Sequence, residues 1–485
     1  HTDEDVDKII AAAKDSIYEM QADGILERPE GESGANAVWS KKIGLTNAQK
    51  EVWIASQMGE MESCAFNESD SFEIDGDLDL NAFQGAVEDT LNENEAFRLR
   101  FDSDGEFQST AGSLPLELSL TDLSHLGVDS AREQLSSRLA ELALTSFDLE
   151  KGPLVRACLF SLGASKYVFV IYCHHIIFDG YSAELMIQEI ADRYAAKVSG
   201  VARTNADLSP FSIYAERMES AGNEIPSYWL DVFAEDQPEP LDLPTDRPRG
   251  AKRQYNGDTV HRELPKKLCL GVKEAAKQLG VSQFALLLSA YSALLSRLTS
   301  QEDMVIGVPT AGQARENIDT IGYCVNILPV RTKPGFEDEF SGFAKGLQKA
   351  TFDAFDNQNL SISDLMNRLK IPRDPSRLGL IETVFNFSRY FSGVSMPGCK
   401  LVARENRRFA VYHDLFFNIV DAGEHLIIDW DYAVDLFDEE TINRWIDHYI
   451  ALLSDIVRHP KKRIGDLSLI VPEGSEDILS VEPSE

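Results

Sequence analysis

The chain reads as a mixed α/β protein built as two lobes, on three observations. It has 485 residues, more than one hydrophobic core ordinarily supports, and 43% of them are hydrophobic, enough to furnish two. A dense apolar run, Tyr167 to Cys173, reads as a buried strand. It is followed by Ala183 to Ala195, where Leu185, Ile190 and Tyr194 fall near helical spacing on one face. Between the two stand His174-His175-Ile176-Ile177-Phe178-Asp179-Gly180-Tyr181-Ser182. Two histidines therefore sit where a strand ends, with an Asp and a Gly one turn on, and strand ends are where such folds present their chemistry.

Taken from the N-terminus, Thr2-Asp3-Glu4-Asp5 opens like a capping box, and Val6, Ile9, Ile10, Ala13, Ile17 and Met20 continue it with helical spacing. Residues 27–37 are polar, contain Pro29, Gly31 and Gly34, and read as a linker. Further on, Phe284 to Leu298 is the longest apolar stretch, interrupted by Ser289, Ser292, Ser296 and Arg297, so a buried helix is expected rather than a membrane span. The N-terminus lacks the charge and apolar pattern of a signal peptide.

The histidine motif permits three readings. Buried histidines are commonly satisfied core residues. Metal binding is disfavoured, because adjacent strand residues point to opposite faces and no other His or Cys lies nearby at a zinc spacing. The third reading divides the labour: His175 faces a cavity and accepts a proton from an attacking amine or hydroxyl, while His174 packs inward. Asp179 stands at a helix start, where the helix dipole favours it, or is buried against an arginine to fix the loop. Gly180 lets a ligand approach the backbone or takes a conformation closed to other residues.

The pattern H-H-x-x-x-D-G resembles the active-site motif of condensation domains from nonribosomal peptide synthetases, in the chloramphenicol-acetyltransferase-like superfamily. Other motifs of that family follow in order. Leu45-Thr46-Asn47-Ala48-Gln49 with Trp53 and Gln57 is similar to the opening one. Glu93 to Phe101 resembles the second, keeping Glu95, Arg98 and Phe101 but carrying Glu93 and Asn94 in place of Arg and His. Leu241 to Arg249 resembles the linker between halves, Ile321 to Arg331 the fifth motif, and Arg373 to Arg377 with Val384 to Phe387 the seventh. The resemblance covers about residues 40–472.

It implies two chloramphenicol-acetyltransferase-like lobes, 38–225 and 226–472, meeting in a V around a central tunnel, with 1–37 and an acidic 473–485 outside them. His175 would lie midway along the tunnel, supported by His174, Asp179 and Gly180 and accompanied by Tyr181, Ser182 and Asn386 in its lining. Asp179 in the family pairs with an arginine. Arg315 is the first candidate, although Gln313 occupies the usual arginine position, with Arg98 and Arg331 as fallbacks. The implied reaction is amide formation between a donor thioester and an aminoacyl acceptor. Both would be carried on phosphopantetheine arms of upstream and downstream carrier proteins, with no directly bound cofactor and no metal. His175 would act as a base or only orient the amine.

The N-terminal helix resembles the closing helix of class III PLP-dependent aminotransferases, with an ordinary acidic helix as the alternative. The first reading implies a piece of a hybrid polyketide/peptide megasynthase, with an aminotransferase upstream, an adenylation domain downstream and a β-amino acyl donor. An ester-forming condensation domain, an acyl-CoA-type acyltransferase and a non-catalytic recruitment platform are the rival functions. Platforms of this kind lose the second histidine, which is present here.

Composition narrows the partners. Eighty acidic against 46 basic side chains give a net charge of −34, which argues against nucleic acid. Arg247, Arg249, Lys252 and Arg253 form one local basic cluster, readable as a carrier-docking patch or, more simply, a solvated linker. Six scattered cysteines without a C-x-x-C pair fit reduced core thiols in a cytoplasmic protein, expected to be monomeric and unattached to a membrane. There is no G-x-G-x-x-G, P-loop or G-x-S-x-G element to support cofactor or serine-hydrolase chemistry.

Overall fold

A computed structural model describes residues 42–470, except 115–117, 201–202, 204–207, 223, 235–236 and 390–393. The expected helix and linker over 1–37 and the acidic segment 473–485 lie outside the described residues.

The first half runs β1 (Ile43–Gly44), α1 (Asn47–Ser56), α2 (Glu60–Cys64), β2 (Asn67–Gly76), α3 (Leu80–Glu93), β3 (Leu99–Phe101), β4 (Phe107–Thr110), β5 (Ser119–Asp122), α4 (Val128–Ala143), β6 (Val155–Gly163), β7 (Lys166–His174), α5 (Gly180–Ser199), α6 (Phe211–Ala221) and α7 (Ser227–Val232). The second half continues with β8 (Gly257–Glu263), α8 (Lys266–Leu279), α9 (Gln283–Thr299), β9 (Met304–Ala311), α10 (Gly312–Glu316), β10 (Val325–Thr332), α11 (Phe340–Asp356), α12 (Ile362–Leu369), β11 (Thr383–Arg389), β12 (Cys399–Glu405), β13 (Leu415–Asp421), β14 (Leu426–Ala433) and α13 (Glu439–Arg458).

Of three sheets among the described residues, one a small β1-β4-β3 sheet, the two larger carry the two main cores. The first has strand order β12-β2-β7-β6-β5, and the second β10-β9-β11-β13-β14-β8. β7 is the central strand of the first, and Val168 to His174 are all buried along it. That is why this segment is apolar without alternation: helices cover one face and further structure the other. Phe83 of α3 meets Phe169 of β7 edge-on at 5.3 Å, with Met186, Ile187 and Ile190 of α5 buried in the same core. In the second core, α9 is buried from Ala285 to Ser296. Its serines are matched inside: Ser289 donates to the Ala285 carbonyl and Ser292 bonds the Thr332 hydroxyl. The apolar stretch expected to be a buried helix is one. Among the described residues no single helix is long and apolar enough to cross a membrane. The six cysteines are free thiols, five of them buried.

Two segments of the second half cross to the first core. β12 pairs antiparallel with β2, Leu401 opposite Ile74, and forms the edge of the first sheet. The connection between β9 and β10 brings Ile321, Tyr323 and Cys324 into the first core. The approach is tight: a methyl group on Gly312 would stand 2.2 Å from the Tyr214 hydroxyl and 2.6 Å from the Cys324 carbonyl oxygen.

Candidate active site

β7 ends at His174, and the chain turns through His175–Ile177 before Asp179 starts α5. His174 is fully buried. Its Nδ1 accepts from the Ile176 N–H (3.3 Å), which leaves Nε2 as the protonated nitrogen facing the Ser56 hydroxyl at 3.3 Å. Burial, aided by the neighbouring His175, pushes its pKa down to about 3. It is the inward packing residue expected of the pair.

His175 points the other way, with its side chain 23% exposed. Its backbone N–H donates to the Phe66 carbonyl at 2.7 Å. Nδ1 lies 2.5 Å from the Phe178 carbonyl oxygen. A carbonyl only accepts, so Nδ1 carries the hydrogen, and the neutral ring presents its lone pair at Nε2. The Tyr323 ring meets the imidazole edge-on at 4.8 Å and limits its rotation. Gln49, fully buried, donates to the Ile176 carbonyl at 3.0 Å while its oxygen accepts from the Thr46 N–H at 3.1 Å. The opening motif thus braces the histidine turn from behind.

The expected partner of Asp179 requires correction. Its side chain takes four hydrogen bonds: from the Ser182 N–H (2.8 Å) and hydroxyl (2.7 Å), Gln313 Nε2 (2.9 Å) and the Cys324 N–H (3.0 Å). No arginine is among them. Arg315 is exposed on α10, Arg98 donates to the Ala111 carbonyl, and Arg331 grips Asp303 with two bonds of 2.6 and 2.8 Å. Neutral donors suffice because they fill both carboxylate oxygens, and Gln313 occupies the place where an arginine was expected.

Three further expectations shift. Ser182 is fully buried between Asp179 and the Gly322 carbonyl, so it supports the loop rather than lining an open space. Gly180 has an ordinary negative-φ backbone, and an added methyl group would meet nothing within 4 Å, so the special-conformation reading fails and open space beside it remains. The basic linker cluster is largely consumed internally. Arg249 and Arg253 (2.5 Å) both pair with the buried Asp414, and Arg247 pairs with Asp438. Tyr181 is half-buried and donates to Asp319 at 3.0 Å. Asn386 lies on β11 in the second sheet, donating to Asn418 at 2.9 Å.

Sequence reasoning missed a charged group beside the histidine. Glu68 of β2 places Oε1 3.6 Å from His175 Nε2. Arg408 binds Glu68 with two bonds of 2.7 and 2.5 Å, and its Nε lies 3.8 Å from Asp431 on β14. Burial pushes the Glu68 carboxyl up, but Arg408, joined by His175 when that ring is protonated, outweighs it and holds the pKa at about 2. Asp70 and Asp431 are pushed up to about 7, mainly by burial, with the Glu68 charge adding to each. The signal was present in Asn67-Glu68-Ser69-Asp70-Ser71, too polar to read as a strand until its pairing with β7 is seen.

With Nδ1 held by the Phe178 carbonyl, the imidazole can accept a proton at Nε2 from a nucleophile that reaches its partly exposed edge. Comparison with known proteins gives this geometry its context. Residues 40–479 match the profile described as "Condensation domain". The chain is 29% identical over 442 residues to gramicidin S synthase 2 of Aneurinibacillus migulanus, covering 90% of this chain and 10% of that protein. It is 30% identical over 439 residues to bacitracin synthase 1 of Bacillus licheniformis, covering 88% and 8%. The chain therefore spans about a tenth of such relatives' length. Among solved structures, a four-domain nonribosomal peptide synthetase bound to AMP and glycine has a TM-score of 0.81 at 19% identity, covering 92% of this chain and 35% of that one. The X-domain from teicoplanin biosynthesis, in complex with OxyB, has a TM-score of 0.74 at 23% identity, covering 91% and 100%.

Proposed function

This chain belongs to the condensation-domain family, and on that premise we propose that it forms an amide bond between a donor acyl thioester and an aminoacyl thioester acceptor, each carried by a phosphopantetheine arm of a carrier protein. The observation that carries the reading is the state of His175. Its Nδ1 is committed to the Phe178 carbonyl, so Nε2, beside Glu68 on a side chain 23% exposed, is left as the basic nitrogen. Holding amine and thioester together there supplies much of the acceleration, since oriented neighbours react as if at very high concentration. Asn386, on the second sheet, is our candidate for a lining residue opposite the histidine.

The rival from another class is a recruitment platform, since the fold is shared with an X-domain solved in complex with OxyB. The intact second histidine and its prepared tautomer favour chemistry. An alcohol nucleophile would use the same base, so ester formation is the nearest alternative reaction, followed by acyl transfer from coenzyme A. The donor we infer is a β-amino acyl group, from the aminotransferase-like residues 1–20. An aminotransferase before this chain and an adenylation domain after it belong to the same reading.

The test is chain transfer between loaded carriers, followed by intact-protein mass spectrometry. A β-amino or an α-amino acyl donor is loaded upstream and an amino acid downstream. The wild-type protein is expected to place the summed mass on the downstream carrier, and His175→Ala to lower that rate at least about a hundredfold. No transfer with either donor would sink the amide reading.

A further inference from the structure

We propose that Glu68 is the specificity-determining residue for an amine acceptor: its carboxylate receives the positive charge of the nucleophile as it reaches His175. The inference deepens the amide-forming reading and rests on it. Its basis is position. The reacting nitrogen is the one substrate atom that the reaction must bring to His175 Nε2, and Glu68 Oε1 lies 3.6 Å from that nitrogen. An ammonium group seated there can donate to both at once.

The surroundings are short of positive charge. Glu68, Asp70 and Asp431 face a single guanidinium, Arg408, alongside the neutral, buried His174 and the half-open His175. Asp429, two residues before Asp431 on β14, is buried; its Oδ1 pairs with His261 Nδ1 at 2.6 Å, and its Oδ2 has no hydrogen-bond partner among the described residues. An ammonium beside Glu68 adds a cation where these carboxyl groups outnumber the guanidinium of Arg408, and a neutral group adds none. A neutral hydroxyl acceptor can donate one hydrogen bond to Glu68 or His175 but brings no positive charge to the carboxylate.

The proton balance also suits Glu68. The ammonium gives one proton to Nε2, and the freed amine attacks the thioester carbonyl, forming the C–N bond. The C–S bond then breaks, the departing thiolate takes the proton from the imidazolium, and the remaining excess proton on nitrogen leaves to water. Throughout the first transfer the positive charge only moves from one neighbour of Glu68 to another. The carboxylate therefore holds the acceptor without opposing its deprotonation by His175.

The test compares an α-amino acyl with an α-hydroxy acyl pantetheine, both amide-linked so that neither reacts, by calorimetry on the full chain. Wild type is expected to bind the amine at least about tenfold more tightly than the alcohol, a difference of about one ion pair. Glu68→Gln, which keeps the shape and one acceptor for Arg408, should lose that preference while binding the alcohol within about twofold of wild type. Equal binding of the two ligands by wild type, or an unchanged preference in Glu68→Gln, overturns the proposal. Loss of both ligands in Glu68→Gln would mark a structural role and overturn it as well. The mass-spectrometric transfer assay reports separately: a preference that Glu68→Gln abolishes, in a protein that transfers no chain, would leave the charge subsite standing and remove the amide reading.

Discussion

Asp179 holds the turn beneath His175 by four hydrogen bonds from neutral donors, and its removal leaves Gln313 Nε2 and the Cys324 N–H buried without an acceptor. Asp179→Ala should therefore cost about 2–4 kcal/mol, read as a lower urea midpoint, and lower chain transfer as well. A variant that unfolds like the parent would contradict the network. At Asp431 the effect is one of pH. Its carboxyl is raised to about 7 in the folded protein against 3.8 in the unfolded chain, so from pH 4 to 7 the unfolded chain releases the proton first and stability falls as pH rises. Below that window both states are protonated and the cost vanishes. Asp431→Asn cannot titrate, and it still presents an oxygen to the Thr259 hydroxyl. Relative to wild type it should gain about 1–4 kcal/mol on going from pH 4 to 8, measured by denaturation at both. What was legible here follows residue chemistry. The histidines and Asp179 stood in a compact motif, whereas Gln313 and Glu68 act across 134 and 107 positions of sequence, a relation that only folding creates.

Elements show the same division for a different reason. β7 and α5 were readable because an unbroken apolar run followed by helical spacing has few other homes. β2 and β12 were not, since Glu68, Ser69 and Asp70 and the charged ends of β12 give no alternation; their strand character comes from neighbours. The connection between β9 and β10 illustrates how an element can position a side chain. Gly312 sits so close to Tyr214 and the Cys324 carbonyl that any side chain must push the segment away from the first core, carrying Gln313 with it. Gly312→Ala is expected to cost about 1–3 kcal/mol in chemical denaturation, through overpacking. Full parental stability would show that the segment yields at no cost.

On the scale of the molecule, the two-core plan was foreseeable from length and composition, and the chloramphenicol-acetyltransferase-like fold came with the family resemblance. The crossings were not foreseeable, because both β12 and Ile321 to Cys324 sit in sequence among second-half elements yet pack in the first core. Arg249 and Arg253, which looked like a surface patch in a linker, are buried against Asp414 by the same long-range closure. The edge strand β12 carries a consequence for heredity. A genetic exchange that joined the first half of this chain to the second half of a distant relative would hand β2 a foreign strand to pair with, and the Asp179 clasp a foreign Gln313. Crossovers between the lobes should thus be punished by selection unless those two seams match, whereas crossovers outside residues 40–470 leave both intact.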